Sequence, residues 1–383
     1  MTPDQRLRLA LAHKEPDRIP FDLGSTRVTG IAQAAYGRLR DSLRLPSREA
    51  AVADLVQGLA APDEDLLRTL EVDTRGLFPR APTGWGRRFS EANGYRSFID
   101  EWGVTWSSPL DGGLYYDMTA HPLAGAITLA DVKAYPWPDG RDVARVAGLA
   151  EEGRGLAEEG HAVVLVGVTA GVVEQAARVR SPADFFCDLA ADPDLACAIM
   201  DAVLEVKLGY WEGALAEVGD LAQVVAEADD LADQRGLMFS RDTYRRLMKP
   251  RHQRLFQSLR SRGNVRVFMH SCGAVRELIP DLIEAGVDIL NPVQVSAQGM
   301  DTARLKRDFG DALTFWGGGV DTQHVLPRDT PQQVRDEVRR RIDDLAPGGG
   351  FVFAAVHNIQ ADVPPQNVEA MWEAMREYGS YGE

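Results

Sequence analysis

Cysteine is scarce in this chain: 383 residues contain three, Cys187, Cys197 and Cys272. Three scattered thiols cannot build a disulfide framework, which excludes a small stapled secreted domain and points to a reducing compartment. Basic charge is short as well. Against 57 Asp and Glu stand 42 Lys and Arg, a formal net charge of -15, and such a field repels a phosphate backbone instead of releasing its counterions. Nucleic acid and anionic membrane are therefore not expected partners. Long apolar runs are also missing. The longest, Ala162 to Val173, is broken by two glycines and a threonine and falls short of the roughly 20 residues a membrane span needs. Near the start, Thr2-Pro3-Asp4-Gln5 reads as a capping box ahead of a charged helix, with no apolar h-region. The expected location is the cytoplasm.

What remains is a globular composition, 45% hydrophobic and 26% charged, in a chain long enough for two ordinary domains or one large barrel with insertions. Eight short β-branched apolar runs decide between them: Arg18 to Leu23, Val72 to Leu77, Ala162 to Val168, Leu221 to Glu227, Val265 to His270, Val287 to Asn291, Leu313 to Gly318 and Gly350 to Val356. Helical periodicity separates most of them, as in Arg178 to Val206, Asp242 to Arg262, Val275 to Ala285, Thr330 to Leu345 and Pro365 to Tyr378. Alternating strands and helices predict an α/β fold, a single (β/α)8 TIM barrel over residues 1–383. Residues 78–123 break the alternation with short aromatic, glycine-punctuated segments, and read as a β-meander inserted after the second strand. Its Trp102, Trp106, Tyr115 and Tyr116 either line a substrate mouth or supply the insertion's own core.

Barrel enzymes keep their chemistry at the carboxyl ends of the strands. There the sharpest signal is His270-Ser271-Cys272-Gly273, closing the fifth run. Alternation points His270 and Cys272 to the same side, and an imidazole with a thiolate suits zinc, a borderline-soft ion. His357 follows the eighth run at the same mouth and is either a third ligand, which leaves an open position as in a catalytic zinc, or a structural histidine capping the following loop. Gln294, after the sixth run, is either a weak fourth ligand or a partner of the ligands. Cys187 and Cys197 fall within one expected helix and read as small core residues. Carboxylates gather at strand ends too: Asp22, the pair Asp229 and Asp230, Asp288 and Asp321. Of the adjacent pair at most one faces the cavity. Asp230 and Asp321 are each a general acid or base, or an N-cap. Glu174 and Arg178 make an ordinary i,i+4 pair unless Glu174 lies in the loop after the third strand.

With these segments in view, the chain resembles the uroporphyrinogen decarboxylase superfamily over most of its length. The likeness is carried by Glu15-Pro16-Asp17-Arg18-Ile19-Pro20, Asp229-Asp230-Leu231 with Gln234, His270-Ser271-Cys272-Gly273, Gly319-Val320-Asp321-Thr322-Gln323, Val356-His357-Asn358-Ile359-Gln360 and Pro364-Pro365-Gln366-Asn367. It implies a TIM barrel and offers two chemistries. True decarboxylases carry an Arg-Gln-Ala-Gly-Arg segment after the first strand to hold a porphyrinogen's carboxylates; Phe21-Asp22-Leu23-Gly24-Ser25-Thr26-Arg27 has one arginine in that place. The zinc- and corrinoid-dependent methyltransferase branch carries His-x-Cys on this strand and a third ligand, usually Cys, after the last. His270 and Cys272 match it, and His357 stands where that cysteine falls. In the related cobalamin-independent methionine synthases a glutamate ligand lies downstream, near the place of Gln294.

The resemblance thus implies Zn2+ on His270, Cys272 and His357, and methyl transfer between a small methoxy or methylated substrate, or a thiol, and a corrinoid (cobalamin) on a partner protein. Asp230 or Asp321 would handle protons, and Asp22, Glu174, Gln294 and Tyr116 are the expected substrate contacts. Superfamily analogy implies a homodimer. The alternatives are porphyrinogen decarboxylation and a non-catalytic, ligand-binding barrel.

Overall fold

A computed structural model describes residues 1–382. Seven parallel strands form one continuous curved sheet in chain order: β2 (Thr74–Leu77), β3 (Ala162–Val166), β4 (Val224–Ala228), β5 (Arg266–His270), β6 (Ile289–Asn291), β7 (Thr314–Trp316) and β8 (Phe351–Val352). The eighth, β1 (20–22), is a single parallel bridge between Phe21 and Phe353. It closes the ring through Phe353 N–H to Pro20 O at 2.8 Å and Asp22 N–H to Phe353 O at 2.9 Å on one side, and Asp73 N–H to Phe21 O at 2.9 Å on the other. The fold is therefore a closed (β/α)8 barrel.

Strands covered on both faces read as unbroken apolar runs, and β3, Ala-Val-Val-Leu-Val, is buried at all five positions. Inward-pointing Val164, Val224, Phe268, Trp316 and Val352 fill the interior. Leu7 and Leu11, one helical turn apart on the helix Pro3–Leu11, join that same cluster. That helix opens with the capping box read from Thr2 and Gln5.

Two excursions rise from the loops. Between β2 and β3 a four-stranded antiparallel meander runs Phe89–Ala92, Tyr95–Ile99, Thr105–Pro109 and Asp117–Ala120, paired in chain order. Between β1 and β2 lies a feature the sequence did not announce. It is a three-stranded sheet of Ile31–Ala32, Val52–Asp54 and Leu59–Ala60 with the helix Gln33–Ser42, whose strands are too short to leave a period-2 signal.

The helix expected over 178–206 is three helices, Val172–Arg180, Pro182–Ala191 and Pro193–Val218. Ser181 and Asp192 cap the second and third, each with proline at the first helical position, where its missing N–H does no harm while it ends the preceding helix. Cys187 and Cys197 thus sit on different helices: Cys187 is exposed, while Cys197 is half-buried and packs against the core. No helix among the described residues is long and apolar enough to cross a membrane.

Candidate metal centre at the barrel mouth

Phe268 points into the barrel, and alternation along β5 turns His270 inward at the carboxyl end. The chain then bends at Gly273, where φ is +88° and a Cβ would collide with the carbonyl oxygens of Ala232 and Asp233, so only glycine lets the turn pack there. This brings Cys272 Sγ to 3.4 Å from His270 Nε2. His357, after β8, comes in from the other side with its ring centroid 5.4 Å from that of His270. One ligand atom each from His270, Cys272 and His357 lies within 4.8 Å of the others.

His270 is oriented from behind. Its Nδ1 is 2.6 Å from Asn291 Oδ1, while Asn291 Nδ2 donates to the Trp316 carbonyl at 2.9 Å. The amide's donor side is thereby committed, so Oδ1 accepts, Nδ1 carries the proton, and Nε2 presents its lone pair to Cys272 and His357. Burial, and then the nearby His270, pulls His357 down to about 3. Burial pushes the Cys272 thiol far up, with the carboxylates of Asp230 and Glu174 adding to it. One imidazole nitrogen from each histidine and one sulfur converge where burial keeps the thiol protonated; a divalent cation held there would supply positive charge and reverse that preference. This donor set, two nitrogens and one sulfur with an open side, fits zinc.

The open side is a cavity of about 310 Å³ lined by residues from several strand ends, among them Arg27, Glu174, Arg178, Asp230, His270 and His357. Its charges are largely paired. Arg178 holds Glu174 at 2.6 Å and stands 5.4 Å over the Trp106 ring; Arg27 lies 3.8 Å from Asp54 and 5.5 Å from the Phe78 ring. Asp230 differs. One of its oxygens accepts the Cys272 N–H at 2.8 Å and lies 3.7 Å from His270 Nε2, and its side chain is 42% exposed.

Of the residues singled out from sequence, Asp230 and Glu174 thus line the cavity. Glu174 also makes the i,i+4 pair, from the first turn of the helix Val172–Arg180. The neighbouring Asp229 points away and is buried. Gln294 turns to the backbone instead: its Oε1 accepts the Gly273 N–H at 2.6 Å and fastens the turn behind Cys272.

Three further residues are not brought to the cavity. Asp22 lies within the barrel, accepting from Thr74 Oγ1 at 2.6 Å and Trp316 Nε1 at 2.8 Å, and burial raises its pKa. Asp321 caps its own loop, accepting from Gln323 N–H at 2.7 Å and His324 Nδ1 at 2.9 Å. Tyr116 packs edge-on against Phe98 at 5.2 Å, in a separate groove beside the small sheet. Trp102 and Trp106 are buried and join the main core of the molecule instead of forming a separate one. Sequence reasoning passed over Asn291, Arg27 and Arg178 as site residues; an inward position at the end of β6 was the available signal for Asn291.

The described geometry can be set beside known proteins. Residues 117–378 match the sequence family "Uroporphyrinogen decarboxylase (URO-D)". The curated relatives include the uroporphyrinogen decarboxylase of Citrifermentans bemidjiense, 26% identical over 181 residues, 46% of this chain and 47% of that protein. That of Thermus thermophilus is 32% identical over 135 residues, 35% of this chain and 36% of that one. The match thus spans half or less of the length of these relatives. A solved methyltransferase from Methanosarcina mazei superposes with a TM-score of 0.65 over 99% of both chains at 22% identity, which shows a shared fold. With the family match covering two thirds of its residues, the chain belongs to the uroporphyrinogen decarboxylase family of enzymes.

Proposed function

We propose that this protein is a zinc-dependent methyltransferase that moves a methyl group between a small methoxy or methylated compound, or a thiol, and a corrinoid on a partner protein. The observation carrying the reading is the convergence of His270, Cys272 and His357, the two histidines lining an open cavity. When bound there, zinc would act as a Lewis acid on the heteroatom that gains or loses the methyl group. Asn291 keeps the His270 lone pair turned to the cavity. Asp230, the cavity carboxylate without a cationic partner within salt-bridge distance other than His270, takes or returns the proton of that heteroatom. The Glu174–Arg178 pair forms a polar wall opposite, backed by Trp106 of the insertion. The structural neighbour described as a methyltransferase supports this reading over the whole chain length.

The names of the curated relatives favour a second reading, porphyrinogen decarboxylation. A porphyrinogen with many carboxylates needs a cluster of free cations, and the cavity offers Arg27 and Arg178, each already beside a carboxylate. Metal analysis separates the readings. About one zinc per chain, lost in both His270→Ala and Cys272→Ala, together with zinc-dependent methyl transfer from methylcobalamin to a simple thiol, is the expected result. A wild-type protein that binds no zinc sinks it, and porphyrinogen turnover retained by Cys272→Ala establishes the decarboxylase instead.

A further inference from the structure

Behind the cavity wall runs a chain of buried polar groups that methyl transfer does not itself require. The Asp229 carboxylate accepts from the N–H of Val173 at 3.1 Å, the N–H of Glu174 at 2.7 Å and Nε2 of His252 at 2.8 Å. His252 Nδ1 in turn lies 3.0 Å from the Tyr244 hydroxyl. All three residues are at most 1% exposed, and the rings of Phe239 and Phe256 stack on Tyr244 and His252. The Asp229 carboxylate only accepts, which places a proton on His252 Nε2 and leaves Nδ1 to accept from the Tyr244 hydroxyl. Burial, and then the carboxylates of Asp229 and Asp281, hold the Tyr244 phenol far above its ordinary value. Tyr244 opens a π-helical turn, Tyr244–Met248, that runs into the helix carrying His252. Such wide turns are rare and concentrate at functional sites.

Asp229 holds the cavity on two sides. Its carboxylate caps the helix Val172–Arg180, which has Gly171 at its N-cap and no side-chain cap of its own. That helix brings Glu174 and Arg178 to the cavity. The Asp229 N–H donates to the His270 carbonyl at 2.8 Å, and the next residue, Asp230, takes the Cys272 N–H. There is no slack in the joint, because a Cβ on Gly171 would strike the Asp229 carboxylate.

We propose that Tyr244 and His252 are positioning residues: through Asp229 they fix the helix end that presents Glu174 and Arg178, and the strand end that aims Asp230. The proposal rests on the methyl-transfer reading for what the wall serves, and on the buried network alone for how the wall is held.

Hydrogen exchange on the full chain tests it, comparing wild type with His252→Leu, His252→Gln and Tyr244→Phe, with zinc content measured on the same samples. Loss of the His252 donor speeds exchange at 172–176 about tenfold, and loss of the Tyr244 hydroxyl about threefold. The helix Pro365–Tyr378, packed on the helices Gln33–Ser42 and Pro331–Leu345, keeps its wild-type exchange. His252→Gln, which retains a side-chain N–H, restores most of the protection. With methylcobalamin and 2-mercaptoethanol as probes, KM for the thiol rises more than kcat falls, as expected when a binding wall loosens and the reacting centre stays intact. Unchanged exchange at 172–176, or an equal rise along the whole chain, overturns the proposal. A wild type without zinc overturns the methyl-transfer reading and leaves the exchange result to decide this one.

Discussion

His270 and Asn291 are locked together by the 2.6 Å contact between Nδ1 and Oδ1, and that contact selects the His270 nitrogen that faces the cavity. Histidines that bind metals commonly donate their other N–H to such a partner, which fixes the tautomer and raises ligand basicity. Asn291 is itself fixed by the Trp316 carbonyl, so the chain of orientation reaches from β7 through β6 to β5.

Removing that orientation has a measurable result. Asn291→Ala lowers zinc affinity by about 10- to 100-fold, the usual loss when such a partner is deleted. Asn291→Asp keeps the acceptor for His270 but sets a carboxylate oxygen against the Trp316 carbonyl in place of the amide donor, so it recovers only part of the loss. Competition against a chelating dye reads both. Equal affinity in Asn291→Ala would show that His270 is oriented by packing alone.

Zinc binding should also release a proton. Burial raises the Cys272 thiol above its ordinary value, so at neutral pH it is protonated, while His357, pulled down to about 3, has no proton to lose. A metal held by Cys272 would take the thiolate, so affinity is expected to rise with pH by about tenfold per unit until the thiol itself ionises. Calorimetry in buffers of different ionisation enthalpy gives the count. A binding enthalpy independent of buffer would remove Cys272 from the ligand set.

Much of this was legible in the sequence, for physical reasons that differ from element to element. Parallel strands buried on both sides leave continuous β-branched runs, so β3 and its neighbours stood out; even β1, one bridge long, lay inside such a run. His270 ends β5, Cys272 lies just past it and His357 lies past β8, and a closed barrel brings strand ends together. Side-chain direction in loops was not legible. Asp230 and Asp321 both lie in loops just past the carboxyl ends of β4 and β7, two and five residues on, yet one faces the cavity and the other turns back on His324. The helix breaks at Ser181-Pro182 and Asp192-Pro193 are likewise hidden in the sequence, because the apolar period continues through both.

That difference between the two aspartates gives the next test. Asp230→Asn keeps the shape and removes the base, and lowers methyl transfer by about 10²- to 10⁴-fold with zinc content unchanged. Asp321→Asn leaves the rate within about threefold, while its weaker acceptance from Gln323 and His324 costs about 1 kcal/mol of stability. Thermal unfolding and initial rates on the same preparations distinguish them, and the opposite ranking would return Asp321 to the chemistry.

A last prediction concerns the wall's other anchor. Lys207 and Glu227 form an ion pair at 2.8 Å with side chains 0% and 1% exposed, between the helix Pro193–Val218 and β4. Burial pushes the Glu227 carboxyl up, and the Lys207 ammonium opposes that. Lys207 Nζ also donates to the Ala170 carbonyl at 2.7 Å, tying down the loop that leads into the helix Val172–Arg180. Lys207→Met leaves the buried Glu227 carboxylate without its cation and costs about 3–5 kcal/mol. Because much of that loss is the penalty on the stranded carboxylate, adding Glu227→Leu should recover a large part of it. The Ala170 carbonyl stays without its donor in both variants, so exchange in the loop 167–171 should remain fast in the double variant even where global stability returns. Denaturant unfolding of wild type, both single variants and the double variant gives the coupling energy. If the double variant is no more stable than Lys207→Met, the pair's charges contribute little, and packing around Trp211 carries the interface.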